Sequence, residues 1–228
     1  MTNITVPSSI GFILDGNRRW ARENNLPQLE GHRRGMEKVK EISSWANDAG
    51  IKEVIVYAFS TENWNRDPGE VDYLMKLFEE FCDRWARDIK KRNGRIRFIG
   101  QRERFSDSLQ KSMNLAEENT KEGTKLTLVV ALSYGGRAEI VAAANKLLAS
   151  GVTDVTEDTF AEALWSNGLA HPDIIIRTGG EKRLSNFLPW QSTYSELFFT
   201  DTLWPDFSEA EFSQILVDYA ARKRNFGA

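Results

Sequence analysis

Ile10-Gly11-Phe12-Ile13-Leu14-Asp15-Gly16-Asn17-Arg18-Arg19-Trp20 changes character at one point. Up to Leu14 it is a short apolar run without polar alternation, which reads as a strand buried on both faces. At Asp15 it turns to a carboxylate, a glycine able to bend sharply, and a run of donors opening a helix. The same grammar recurs. Val54–Phe59 runs into Ser60-Thr61-Glu62-Asn63-Trp64-Asn65-Arg66, and Ile174–Ile176 into Arg177-Thr178-Gly179-Gly180-Glu181-Lys182-Arg183-Leu184-Ser185. Ile96–Ile99, Leu126–Leu132 and Leu197–Phe199 read as further strands.

Helical periods lie between them. His32–Ala49 carries Met36, Val39, Ile42 and Ala46 on one face and stops at Gly50. Asp67-Pro68-Gly69-Glu70 supplies an N-cap, a first-turn proline and an acidic third residue, ahead of the stripe Val71, Leu74, Phe78, Phe81, Trp85 and Ile89. Ala138–Ala149 and Thr159–Trp165 are two more helices. Ser208-Glu209-Ala210-Glu211 reads as a capping box before Phe212, Ile215 and Tyr219. Strand and helix in alternation predict an α/β fold, a mostly parallel central sheet flanked by helices. The wide face of the Val71–Ile89 helix also suggests an apolar tunnel between sheet and helices, with Leu77, Phe81 and Trp85 as candidate lining. Plain core is the default for such a stripe.

The chain has 228 residues, 41% hydrophobic and 28% charged, with a net charge of −3. A single domain over residues 1–228 is expected, able to bury roughly 70% of its unfolded surface. The charge argues against a nucleic-acid coat. Cys82 alone forms no intrachain disulfide, and His32 and His171 do not make a Cys/His zinc cage. The polar Met1–Ser9 has no signal-peptide pattern and no apolar run is long enough to span a bilayer, which points to the cytoplasm.

Ligands of open parallel sheets bind beyond the carboxyl ends of the strands. Three strand tips there offer the same chemistry of cations, small residues and a few carboxylates. Helix-opening N–H groups after Gly16 suit an anion, and Asp15 is compatible with that anion when Mg²⁺ joins carboxylate to phosphate oxygens. Arg177, Arg183 and Ser185 suit bidentate phosphate capture, with the paired glycines allowing close backbone approach. Glu196 is a candidate second metal oxygen. No Walker-type P-loop and no dinucleotide fingerprint is present, so ordinary nucleotide binding loses support. The physical inference from the three tips is a site for one or two polyphosphate groups, with Mg²⁺.

Asp15-Gly16-Asn17-Arg18-Arg19-Trp20-Ala21, Gly31-His32-Arg33-Arg34-Gly35, Tyr57–Arg66, Ser133-Tyr134-Gly135-Gly136-Arg137, Ile174–Glu181, and Glu196–Thr200 running into Leu203-Trp204-Pro205-Asp206-Phe207 closely resemble the cis-prenyltransferase family over nearly the whole chain. The resemblance implies a homodimeric, Mg²⁺-dependent enzyme that adds isopentenyl diphosphate, in cis geometry, to an allylic diphosphate. It implies Mg²⁺ on Asp15 and Glu196. The allylic diphosphate falls to Gly16, Asn17, Arg18, Arg19 and His32, with Trp20 flanking it. Ser60, Asn63, Trp64 and Arg66 fall near the reacting carbons, with Thr61 and Glu62 beside them as further substrate-binding candidates, and Asn63 is the position usually assigned to proton acceptance; the leaving diphosphate is the other candidate. Arg177, Arg183, Leu184 and Ser185 fall at the isopentenyl diphosphate clamp.

Two positions depart from the family pattern: Gln28 stands where the family has an arginine, and Asn225-Phe226-Gly227 replaces Arg-x-Gly. Ala58 resembles long-chain members, whereas Phe81 and Trp85 could block the tunnel partway. A long polyprenyl product, with peripheral membrane contact, is the expectation. A synthase of one short or branched coupling is the alternative, and a non-catalytic polyprenyl-diphosphate-binding subunit is a second, against which Asp15 counts.

Overall fold

The computed structural model describes residues 6–222. Six strands, β1 (Ser9–Ile13), β2 (Glu53–Ser60), β3 (Arg95–Ile99), β4 (Thr127–Tyr134), β5 (Ile174–Arg177) and β6 (Glu196–Phe199), form one sheet in the order β3-β4-β2-β1-β5-β6. Every pairing is parallel. The helices are α1 (Asn17–Glu23), α2 (Gln28–Asp48), α3 (Pro68–Lys91), α4 (Asp107–Thr120), α5 (Gly136–Ser150), α6 (Glu157–Ala163) and α7 (Glu209–Ala221).

The apolar strands are continuous because both faces are covered. Ile10, Phe12, Val54, Val56, Ile174 and Ile176 face a core shared with α2, α3, α4 and α7. Ile13, Ile55, Tyr57, Val129 and Ile175 face the other side, against Phe187 and Leu188. Burying one such aliphatic side chain contributes about 1.5–3 kcal/mol.

Asp67 caps α3 as expected, accepting from the N–H groups of Gly69 (2.9 Å) and Glu70 (3.2 Å). Two local expectations are revised. The box at Ser208 is half formed: its hydroxyl accepts from Glu211 N, while the Glu211 carboxylate turns to the Thr200 hydroxyl. α4 has no counterpart among the expected helices, because its stripe of Leu109, Met113, Ala116 and Thr120 is narrow and otherwise polar.

The topology settles where a ligand can sit. The chain adds β2, β3 and β4 on one side of β1, then crosses to add β5 and β6 on the other. Such a switch point opens a crevice beyond the strand ends. It lies where β2, β1 and β5 run side by side, so the three polar tips that follow them converge.

Candidate active site

A pocket of about 1170 Å³ opens at that convergence. Asp15 follows β1, and its carboxylate is held between two guanidinium groups. Oδ1 accepts from Arg19 NH2 at 3.2 Å and Oδ2 from Arg177 NH2 at 2.9 Å. Arg177 ends β5 and is 4% exposed. Its other terminal nitrogen donates to Ser185 Oγ at 2.8 Å and to the Arg183 carbonyl. Gly16 takes a left-handed φ of 110°, which swings the chain from β1 into α1 and brings Asn17, Arg18 and Arg19 to the rim. Gly31 and Gly35 let α2 approach that turn: a Cβ on either would lie 2.0 Å from the Asn17 carbonyl oxygen or 2.2 Å from its Oδ1.

Glu70, which sequence reading treated only as part of a helix start, is the hub of the next wall. It is buried, and it accepts from Arg66 NH1 (2.9 Å) and Gln28 Nε2 (3.0 Å) while facing His32 Nε2 (3.0 Å). Burial, then the nearby Arg66 charge, hold the His32 imidazole below its ordinary pKa, against the pull of Glu70. The shift favours the uncharged imidazole, in which His32 serves as a hydrogen-bonding group. Burial also lowers the Arg66 pKa, with Arg18 adding to the effect and Glu70 opposing it. Gln28 opens α2 and occupies the arginine position of the family pattern. Gln28→Arg should place a guanidinium between Glu70 and the pocket and lower the KM for an allylic diphosphate by about tenfold; unchanged KM and kcat would make the departure inconsequential.

At the tip of β2, Ser60 and Asn63 form a reciprocal capping box around a single 3₁₀ turn, Thr61–Asn65, with Ser60 N donating to Asn63 Oδ1 at 3.1 Å. The turn chemistry and the pocket wall are the same residues. Asn63 Oδ1 keeps a second lone pair beside that bond.

Gly16, Asn17, Arg18, Arg19, Gln28, His32, Ser60, Glu62, Asn63, Arg66, Arg177 and Ser185 all line the pocket with Asp15. Other expected site residues do not. Trp20 Nε1 donates to Asp206 at 2.7 Å, on another side of α1's turn. Trp64 packs edge-on against Phe59 and under Arg104, with Nε1 donating to Ser133. Thr61 bonds Glu62, the Arg183 guanidinium pairs with Glu181, and Leu184 packs on the core. Glu196 begins β6 opposite Ile174, itself opposite Ile10. Asp15 lies five residues further on, roughly 16 Å along the strand. Within this chain the two carboxylates are apart, and Glu196 pairs with Arg222 instead. Asn225-Phe226-Gly227 lies outside the described residues.

Sequence reading missed Arg22, Leu26, Tyr57, Leu74 and Asn186 in the lining. The apolar part of the lining is Ile13, Leu14, Leu26, Ala58 and Leu74. Leu77, Phe81 and Trp85 are at most 3% exposed within the main core and do not line this pocket.

Among the described residues no three His, Cys, Asp or Glu side chains cluster as a ready metal cage. A pocket-wall carboxylate flanked by two arginines fits Mg²⁺ held between one carboxylate, water and phosphate oxygens of a ligand. Asp15 is the residue placed for that role, being 30% exposed toward the pocket.

Residues 13–227 match the family model described as "Putative undecaprenyl diphosphate synthase". The isoprenyl transferase of Listeria monocytogenes is 44% identical, over 99% of this chain and 92% of its own. That of Neisseria gonorrhoeae is 43% identical, over 100% and 92%. Lavandulyl diphosphate synthase from Lavandula x intermedia, solved with dimethylallyl diphosphate, superposes with a TM-score of 0.92 at 36% identity, covering 98% of this chain and 99% of that one. A probable undecaprenyl diphosphate synthase from Campylobacter jejuni gives 0.83 at 30%, covering 98% and 100%. With the carboxylate, the arginine ring and the switch-point pocket in the positions its motifs foretell, the chain belongs to the cis-prenyltransferase family, the isoprenyl transferases of undecaprenyl diphosphate synthase type.

Proposed function

We propose that the protein is a Mg²⁺-dependent cis-prenyltransferase that condenses isopentenyl diphosphate with an allylic diphosphate to give a long-chain (Z)-polyprenyl diphosphate. The observation that carries this reading is the convergence of Arg18, Arg19, Arg66 and Arg177 with Asp15 on one pocket, whose lining also includes the apolar Ala58 and Leu74. The enzyme is homodimeric and cytoplasmic on this reading, with peripheral membrane contact through its product.

In the reaction the allylic carbon–oxygen bond breaks, the isopentenyl double bond attacks that carbon, and a proton leaves the carbon next to the new tertiary cation, the C–H electrons forming the new double bond. Asp15 would hold Mg²⁺, which when bound draws off the negative charge that grows on the leaving diphosphate. Arg18, Arg19 and Arg66 stabilise the same charge, more strongly in the transition state than in the bound substrate. Arg177 and Ser185 hold the second diphosphate, which makes the attack effectively intramolecular. A proton beside a nascent cation needs only a weak base. The free lone pair of Asn63 Oδ1 and the departing diphosphate both qualify.

Ala58, a small side chain in the pocket lining, adds no bulk there and supports a long product. The buried Phe81 and Trp85, which the pocket does not reach, and the likeness to a synthase solved with the five-carbon dimethylallyl diphosphate, favour a second reading in which coupling stops after one addition. Incubation with isopentenyl diphosphate and dimethylallyl, geranyl or farnesyl diphosphate, read by mass spectrometry, separates the two. A product ladder growing by five carbons is expected. A single product from every accepted starter would establish the second reading, and diphosphate release with none would refute both.

A further inference from the structure

The block Ser133-Tyr134-Gly135-Gly136-Arg137 lines no part of the pocket, yet it stands at the tip of β4, next to β2. α5 starts there from Gly135, which has no side chain with which to cap it. The first N–H groups of the helix are met from outside by Asn186. Its carbonyl oxygen accepts from Gly136 N at 2.8 Å, and its side-chain Oδ1 accepts from Arg137 N at 2.9 Å. The other end of the same amide, Nδ2, donates to Glu62 Oε1 at 3.0 Å. One residue thus fastens the loop after β5 to the tips of β4 and β2. The neighbouring glycines make room for it. A Cβ on Gly135 would lie 2.5 Å from Thr61 Oγ1 and 2.8 Å from Asn186 Nδ2, and one on Gly136 would lie 1.9 Å from Pro189.

Backbone conformation points the same way. Ser185 and Asn186 take φ values of 48° and 69° in succession. Asparagine tolerates that region and serine seldom does, so it persists only where the surroundings over-determine it. Asn186 makes three bonds there, the Tyr57 hydroxyl donates to the Ser185 carbonyl at 3.4 Å, and Ser185 Oγ meets Arg177 at 2.8 Å.

We infer that Asn186 is the positioning residue that fixes the Ser185–Arg177 pair against the Ser60–Asn63 turn, so that the isopentenyl diphosphate clamp and the reacting carbons keep one spacing. The inference rests on the reading of the site given above. Asn186→Ala removes both side-chain bonds. Asn186→Asp keeps the acceptor for Arg137 N but sets a carboxylate against Glu62. Asn186→Asp combined with Glu62→Gln re-forms the second bond with donor and acceptor exchanged.

Steady-state kinetics with each substrate varied in turn, together with calorimetric binding of isopentenyl diphosphate, tests it. Asn186→Ala should raise KM and Kd for isopentenyl diphosphate about ten- to a hundredfold, with KM for the allylic substrate within about twofold. Asn186→Asp should be worse, and the double variant should recover most of the loss. A KM for isopentenyl diphosphate within about twofold of wild type in Asn186→Ala, or an equal rise in both KM values with no recovery in the double variant, would overturn the inference. Wild-type protein that binds isopentenyl diphosphate without turnover would count against the reaction and leave binding to decide the role of Asn186. Wild-type protein that does not bind it would refute the reading of the site and the inference with it.

Discussion

Asp15→Ala is expected to abolish turnover while the protein stays folded. The side chain stands at a strand tip and is 30% exposed, so its removal opens no cavity in the core. What it removes is charge. A metal-held diphosphate gains several kcal/mol of transition-state stabilisation, and losing it should lower kcat by at least about two to three decades. The carboxylate also separates Arg19 and Arg177, which it meets at 3.2 Å and 2.9 Å. Without it those two guanidinium groups face the pocket uncompensated, so an unreactive thio-analogue of the allylic diphosphate should bind at least as well in the absence of Mg²⁺. Loss of catalysis with retained or tighter metal-free binding is a signature that misfolding does not give. Diphosphate release in Mg²⁺, a thermal melt and calorimetry with the thio-analogue measure the three parts, and a near-normal rate in Mg²⁺ would remove Asp15 from the mechanism.

Much of this site is written locally. Asp15, Ser60 and Arg177 each follow an unbroken apolar strand, and a parallel sheet delivers such residues to one edge, so the three tips could be picked out from the chain alone. Sequence could not show that β1, β2 and β5 are neighbours, which depends on the crossover after β4. Trp20 and Trp64 mark the opposite limit. Both sit inside pocket-forming segments, but their indole N–H groups find Asp206 and Ser133, partners 186 and 69 residues away, which turn the rings out of the pocket.

Glu70 and Asn186 escaped notice for a related reason. Glu70 looks like an ordinary acidic residue in a helix's first turn, where a carboxylate is favourable in any case. Its role appears only when α2 brings Gln28 and His32 alongside. Asn186 resembles loop punctuation, and its partners come from two other strand tips. Glu196 shows what position along a strand adds: it precedes β6, and in a parallel sheet that places it at the opposite end from Asp15 within this chain.

Arg177→Lys is expected to cost nearly as much activity as removing Asp15, although it conserves charge. The guanidinium is 4% exposed and works as a fork: one terminal nitrogen reaches Asp15 at 2.9 Å, the other Ser185 at 2.8 Å and the Arg183 carbonyl. A lysine ammonium is a single point on a flexible stem and cannot span those partners from one place. If it stays with Asp15, Ser185 loses the donor that orients it. If it turns to Ser185, Asp15 is left with Arg19 alone. Either arrangement should lower kcat/KM for isopentenyl diphosphate about a hundred- to a thousandfold, with a much smaller change in KM for the allylic substrate, whose cations Arg18, Arg19 and Arg66 are untouched. Because a cation remains to face Asp15, Arg177→Lys should keep a cooperative melt where Arg177→Ala leaves a void beside the carboxylate. Kinetics with each substrate varied in turn, on protein checked by thermal melt, provides the measurement. A lysine variant with wild-type kcat/KM for isopentenyl diphosphate would show that charge alone suffices at this position and that the fork geometry is incidental.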